Sequence, residues 1–224
     1  MTRLTYTTLL FLAILSCARI APCDTAQEQE AKRAPGVRIF EILKALPTEA
    51  EAYREPTAAL VRKGIPEKYG QEEWAAVVLA HELHQHVGIM TVVGAKMAVR
   101  ARELLKAPPR SVHVVTGTGP NPPYACAIDG IQAGLSSTYG QQLIQAPPVD
   151  QPSVTATFSY EGRTLKLTLR PEYHKQVQAC IQTAIKDHGN LTYDYFEAVE
   201  VFSYTVWAEF DRKAIFQEEF EAAE

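Results

Sequence analysis

The feature that most constrains the fold is an alternating run that reverses across a two-residue turn. Val154 to Tyr160 leads into Glu161-Gly162, and Arg163 to Arg170 follows with Leu165, Leu167 and Leu169 alternating with Thr164, Lys166 and Thr168. A period of two around a turn ending in Gly specifies an antiparallel hairpin with one apolar face. A lone hairpin is marginal in water, so other elements must cover that face. Helix-forming segments surround it. Residues 70–107 are rich in Ala and Val and end at Pro108-Pro109, with a His-rich interruption containing Gly88. Gly88 is expected to let the chain leave the helix there. Residues 111–116 read as a strand, 116–123 as a loop and 125–135 as a short helix. Pro171 opens a helix whose stripe is Tyr173, Val177, Cys180, Ile181 and Ala184, closing at Gly189. That spacing puts Cys180 on the buried face. A last helix from about Thr192 carries Tyr195, Val199, Phe202 and Val206, expected to be core. The whole reads as one α+β domain over residues 37–224, opened by a short helix at 37–43.

The N-terminal segment reads as an address. Arg3 precedes the apolar run Leu9 to Leu15, then Ser16-Cys17, the pattern of an export signal over residues 1–16 and too short to span a bilayer. Ile14-Leu15-Ser16-Cys17 resembles a bacterial lipobox, with Cys17 the lipidated residue. Cleavage after Ala18 is the alternative. Residues 17–36 are polar, end in Pro35-Gly36 and read as a tether. The expected location is periplasmic, or membrane-anchored through the lipid alone. Beyond Cys17 only Cys23, Cys126 and Cys180 remain, an odd number that cannot form a disulfide framework. With 22 basic and 26 acidic residues the net charge is −4, which gives no electrostatic case for nucleic acid.

Two segments carry chemistry. In His81-Glu82-Leu83-His84-Gln85-His86-Val87-Gly88, three of the six histidines fall together. Imidazole is the commonest transition-metal ligand, and Glu82 adds an oxygen donor. On a helix His84 and His86 would point about 200° apart, so joint use requires the chain to leave the helix. The pattern is one residue short of His-Glu-x-x-His. A polar helix end whose imidazoles cap carbonyls is the alternative. In Cys126-Ala127-Ile128-Asp129-Gly130-Ile131-Gln132, Cys126 and Asp129 share a helix face, so a thiol and a carboxylate can converge. A small core thiol beside a first-turn Asp is the plainer reading.

At these residues the sequence resembles the FmdE-like domain family, named for a component of formylmethanofuran dehydrogenase. The family signature His-Gly-His-Leu-Cys-Pro-Gly, followed by Gly-Tyr-Arg-Met-Ala, corresponds to His84-Gln85-His86-Val87-Gly88-Ile89-Met90 and Gly94-Ala95-Lys96-Met97-Ala98. Cys126, Asp129, Ile131 and Gln132 match the second motif, Cys-x-x-Asp-Ala-Ile-Gln. Ser136 to Gly140 resembles the third, Gly-Cys-Thr-x-Gly. The resemblance implies helices packed on a mixed, largely antiparallel sheet, often as a homodimer. It also implies a divalent metal, zinc first, held by His84, His86 and Cys126. His81 is a stand-in for the family Cys that is Gly88 here. Asp129, Gln132 and Glu82 are then supporting residues. The family name implies a role beside a molybdenum or tungsten enzyme acting on carbon dioxide, whereas the export signal points elsewhere. An accessory or binding role follows. The alternatives are a metal-free ligand- or partner-binding protein with a decayed site, and a metal-dependent hydrolase with Asp129 or Glu82 as base.

Overall fold

The computed structural model describes residues 45–221. The signal at 1–16, Cys17, the tether at 17–36 and the helix at 37–43 lie outside the described residues. Among those described, seven α-helices accompany one five-stranded sheet. The strands are β1 (His113–Thr116), β2 (Ile144–Gln145), β3 (Thr155–Tyr160), β4 (Arg163–Leu169) and β5 (Phe216–Phe220), in the order β2-β1-β3-β4-β5. Only β1 and β2 run parallel. This is the α+β class read from the sequence, with the mixed, largely antiparallel sheet that the resemblance implies.

The hairpin has the expected register, with Tyr160 opposite Arg163 and Ala156 opposite Leu167. Glu161 and Gly162 take φ of 46° and 73°, the left-handed pair that a tight hairpin turn requires. Leu165, Leu167 and Leu169 are buried with Ala156 and Phe158. The edge strand β5 and the two-residue β2 are not legible as strands in the sequence. In β5, Phe216-Gln217-Glu218-Glu219-Phe220, consecutive charges mask any alternation, as suits an edge that must resist pairing with other chains. Glu218 accepts a hydrogen bond from Arg100, and Glu219 lies 3.8 Å from Lys166.

The helices are α1 (Thr57–Arg62), α2 (Ile65–Tyr69), α3 (Gln71–His84), α4 (Ile89–Leu105), α5 (Cys126–Leu135), α6 (Pro171–His188) and α7 (Tyr193–Glu209). Helix α4 forms the centre of the core and is buried almost throughout. Its Lys96 has no exposed surface. The ammonium bonds the equally buried Glu73 carboxylate and lies 4.1 Å above the Tyr69 ring, while Arg212 holds the other Glu73 oxygen. Buried charges survive only when paired and hydrogen-bonded in this way. On α6, Val177 and Ala184 are buried, but Cys180 is only half-buried at the edge of the stripe.

What positions the site is the contact of α5 with α4. Gly94 meets Ala127, and Gly130 meets the backbone at Thr91, Gly94 and Ala95. A Cβ on Gly134 would sit 2.6 Å from the Ala98 methyl. Only side chains reduced to hydrogen let two helices approach this closely. The first turn of α5, with Cys126 and Asp129, is thereby held against the start of α4 and the His-rich turn.

Candidate functional site

The turn between α3 and α4 shapes the site. Gln85 takes φ of 65° as the C-cap of α3, and Gly88 takes φ −100° and ψ 136° as the N-cap of α4. The helix break therefore belongs to Gln85. Gly88 sits in extended backbone open to any residue, which corrects the expectation that its freedom ends the helix. The break solves the geometric problem posed by the histidines. Freed from a common helix, the rings of His84 and His86 come within 4.3 Å of each other.

His84 is the centre. Its Nδ1 lies 2.9 Å from Asp129 Oδ2, and its Nε2 is buried without a hydrogen-bond partner among the described residues. The bond to Asp129, with the Cys126 thiol beside the ring, pushes the His84 imidazole up to about 9. A carboxylate on Nδ1 fixes the ring's orientation and leaves Nε2 as the free nitrogen, which below about pH 9 carries a proton that a metal ion would displace. Burial and the neighbouring His84 push His86 down. A Cβ placed on Gly88 would stand 3.3 Å from His84 Nε2 and 3.0 Å from Thr91 Oγ1. A side chain at position 88 would therefore point its first atom at the free nitrogen.

His84, His86, Gly88 and Cys126 border a cavity of about 320 Å³. Its other walls are mainly apolar and include Ile89, Met90, Ile181, Phe196 and Val199. Tyr195 and Val199, expected as core, are indeed nearly buried, yet both also face this cavity. Phe196 packs edge-on against His86 at 5.3 Å. Phe196 falls outside the stripe of Tyr195, Val199, Phe202 and Val206, and nothing in the sequence marks it as a wall. The glycines at the helix contact were also missed. Gly130 and Gly134, four residues apart on one helix, are the signal that could have found them.

His81 and Glu82 lie apart from this cavity. They border a second, polar cavity of about 540 Å³ with Tyr53, Glu200, Tyr204 and Trp207, and His86 reaches both. His81 is buried beside Trp207, and burial pushes its imidazole down to about 4. Its ring nitrogens lie towards the carbonyls of Gly88 and Val77 without hydrogen-bond geometry. Gln132 lines neither cavity. Its Oε1 accepts from the Tyr139 amide and fastens the loop after α5. The structure thus gathers His84, His86, Cys126 and Asp129, and leaves His81, Glu82 and Gln132 outside that group. Among the described residues no set of three or more His, Cys, Asp or Glu side chains is arranged to hold a metal ion.

No curated protein matches the chain. A family model described as "FmdE, Molybdenum formylmethanofuran dehydrogenase operon" matches residues 83–205. The match covers more than half of the chain and includes the His84 turn, both glycine-contact helices, the hairpin and most of α7. The chain belongs to the FmdE family.

Proposed function

We propose that this FmdE-family domain binds a divalent metal, zinc first, through His84 and Cys126, with His86 the next donor in reach, and that it serves an accessory or binding role. The observation that carries this reading is the buried, unpartnered His84 Nε2 opposite the Asp129 bond. A buried polar atom without a partner is destabilising by about 1–3 kcal/mol, which a metal at that nitrogen would offset. Carboxylate, imidazole and metal in sequence are a common arrangement of protein zinc sites. Nitrogen and sulfur donors suit a borderline-soft ion. The residues fit a weakly held ion with open positions better than a closed four-ligand site, because Gly88 stands where the resemblance has a thiolate. When bound, the ion would supply Lewis acidity at the polar end of the cavity.

One observation favours the second reading, a metal-free binding protein. No three-ligand set is preformed among the described residues, and Asp129 satisfies one face of His84 without a metal. Calorimetric titration with zinc and cobalt separates the two. The expected result is binding by the wild type, loss in His84→Ala, and weakening in Cys126→Ser and His86→Ala. Gly88→Cys is expected to tighten binding, by at least about tenfold for an added thiolate. No uptake by the wild type at about tenfold excess over protein would leave the metal-free reading standing.

A further inference from the structure

The cavity beside His84 has walls that the metal reading does not use. The polar side chains bordering it are His84, His86, Cys126 and Tyr195, and its polar end is where the His84 and His86 rings are 4.3 Å apart with Cys126 beside His84. Ile181, Leu191, Phe196 and Val199 supply apolar surface, and among the described residues no Asp, Glu, Lys or Arg borders the cavity. A volume of about 320 Å³ with this division suits a small organic molecule having one polar head and an apolar body.

The head group is set by what lies at the polar end. Helix α4, 17 residues long, begins there with Gly88 as N-cap and no side chain capping it. The amides of Ile89 and Met90 have no backbone acceptor among the described residues, and both residues border the cavity. Free amides at the positive end of a long helix favour an anion. A cationic head would meet no carboxylate in the cavity wall, since Asp129 is engaged at His84 Nδ1.

We propose that this cavity binds a small monocarboxylate with an aliphatic or aromatic body, its carboxylate at the start of α4 and its body among Ile181, Phe196 and Val199. The site goes beyond metal binding and does not require it, because the amides and the apolar walls belong to the chain alone.

The test uses the full chain after chelation of metal, with 4-phenylbutanoate as probe and its amide and amine isosteres as controls. Binding is measured by calorimetry and by the rate at which iodoacetamide alkylates Cys126, followed by peptide mass spectrometry. The expected result is slower alkylation of Cys126 with the carboxylate and an unchanged rate at Cys180. Affinity for the amide and the amine should be at least about tenfold weaker, the scale of a charge-assisted hydrogen bond. Leu191→Asp adds a negative charge at a 60% exposed residue of the cavity rim, so folding should be retained. It should weaken the carboxylate several-fold more than the amide, which loses only the apolar contact of Leu191. Failure of the carboxylate to bind, equal binding of the amide or amine, or indifference to Leu191→Asp would each overturn the proposal. Adding zinc in a separate arm reports the metal reading independently, so the two can fail separately.

Discussion

Replacing Gly130 with alanine would ask whether the close approach of α5 to α4 builds the site. A Cβ at Gly130 would land on the Thr91 carbonyl oxygen and 2.9 Å from the Gly94 carbonyl carbon. Ordinary contact begins at 3.4 Å, and both obstacles are backbone, so no rotamer change removes the clash. The helices must separate by about 1 Å or more, opening an interface that is otherwise tightly packed. Overpacking against backbone costs about 3 kcal/mol, and the better helix propensity of alanine returns about 1 kcal/mol, leaving a net loss of roughly 2 kcal/mol. The matched control is Gly140→Ala, where a Cβ would meet only Thr138 Oγ1 at 3.9 Å.

Urea melts of the two variants and the wild type measure the difference. Separation should also carry Cys126 and Asp129 away from His84, because both ride on the first turn of α5. The histidine's NMR titration should therefore move down towards its ordinary value of about 6.5 in Gly130→Ala. A Gly130→Ala protein within about 0.5 kcal/mol of the wild type, with His84 still titrating near 9, would refute the claim that the contact positions the site.

Three further predictions concern other parts of the chain. Leu167→Ala should destabilise by about 2–4 kcal/mol and Lys166→Ala by under about 0.5 kcal/mol in denaturant melts, because only Leu167 faces the core. The His84–Asp129 pair predicts a pH effect: His84 is raised in the folded state to about 9, so its stabilisation is fully present below the unfolded value of about 6.5 and is lost as pH rises through 9. Linkage alone gives about 3 kcal/mol, and the 33% exposure of the Asp129 side chain reduces this to about 1–2 kcal/mol. Thermal melts between about pH 6 and 9.5 should show that loss in the wild type and little of it in Asp129→Asn. For the proposed lipid anchor, palmitate labelling should disappear in Cys17→Ala, and an unlabelled wild type would exclude acylation there.

The parts of the fold legible in the sequence are those where local chemistry and burial agree. Thr164 to Leu169 alternates because one face is core and the other is not, and the Glu161-Gly162 turn supports the same register. Pro171 and Gly189 bracket α6 for conformational reasons that need no tertiary contact. Strand β5 escaped detection because its pairing comes from β4, while its own sequence carries the charges of an edge. Lys96 shows the same limit inside a helix. A lysine in an Ala- and Val-rich segment reads as a solvated residue until Glu73, some twenty positions earlier, is known to lie against it.

The candidate site follows the same division with one addition. Residue types and the family resemblance point to His84, His86, Cys126 and Asp129 together with His81, Glu82 and Gln132, and do not say which of these seven side chains meet. The convergence of the first four depends on two backbone events that side-chain chemistry does not announce: the left-handed turn at Gln85 and the glycine contact between α4 and α5. Gly88 joins the two kinds of information. Its φ of −100° asks for no glycine, so the residue is not needed for the turn, and its effect is to leave the space beside His84 Nε2 without a side chain. A cysteine there would need Thr91 and the His84 ring to yield by a few tenths of an ångström, a small adjustment for side chains. Gly88→Cys should therefore fold with near-wild-type stability, within about 1 kcal/mol in urea melts. If instead it folds poorly, the space beside His84 is closed to a fourth donor, and the weak site is a property of the packing and not of the missing thiol.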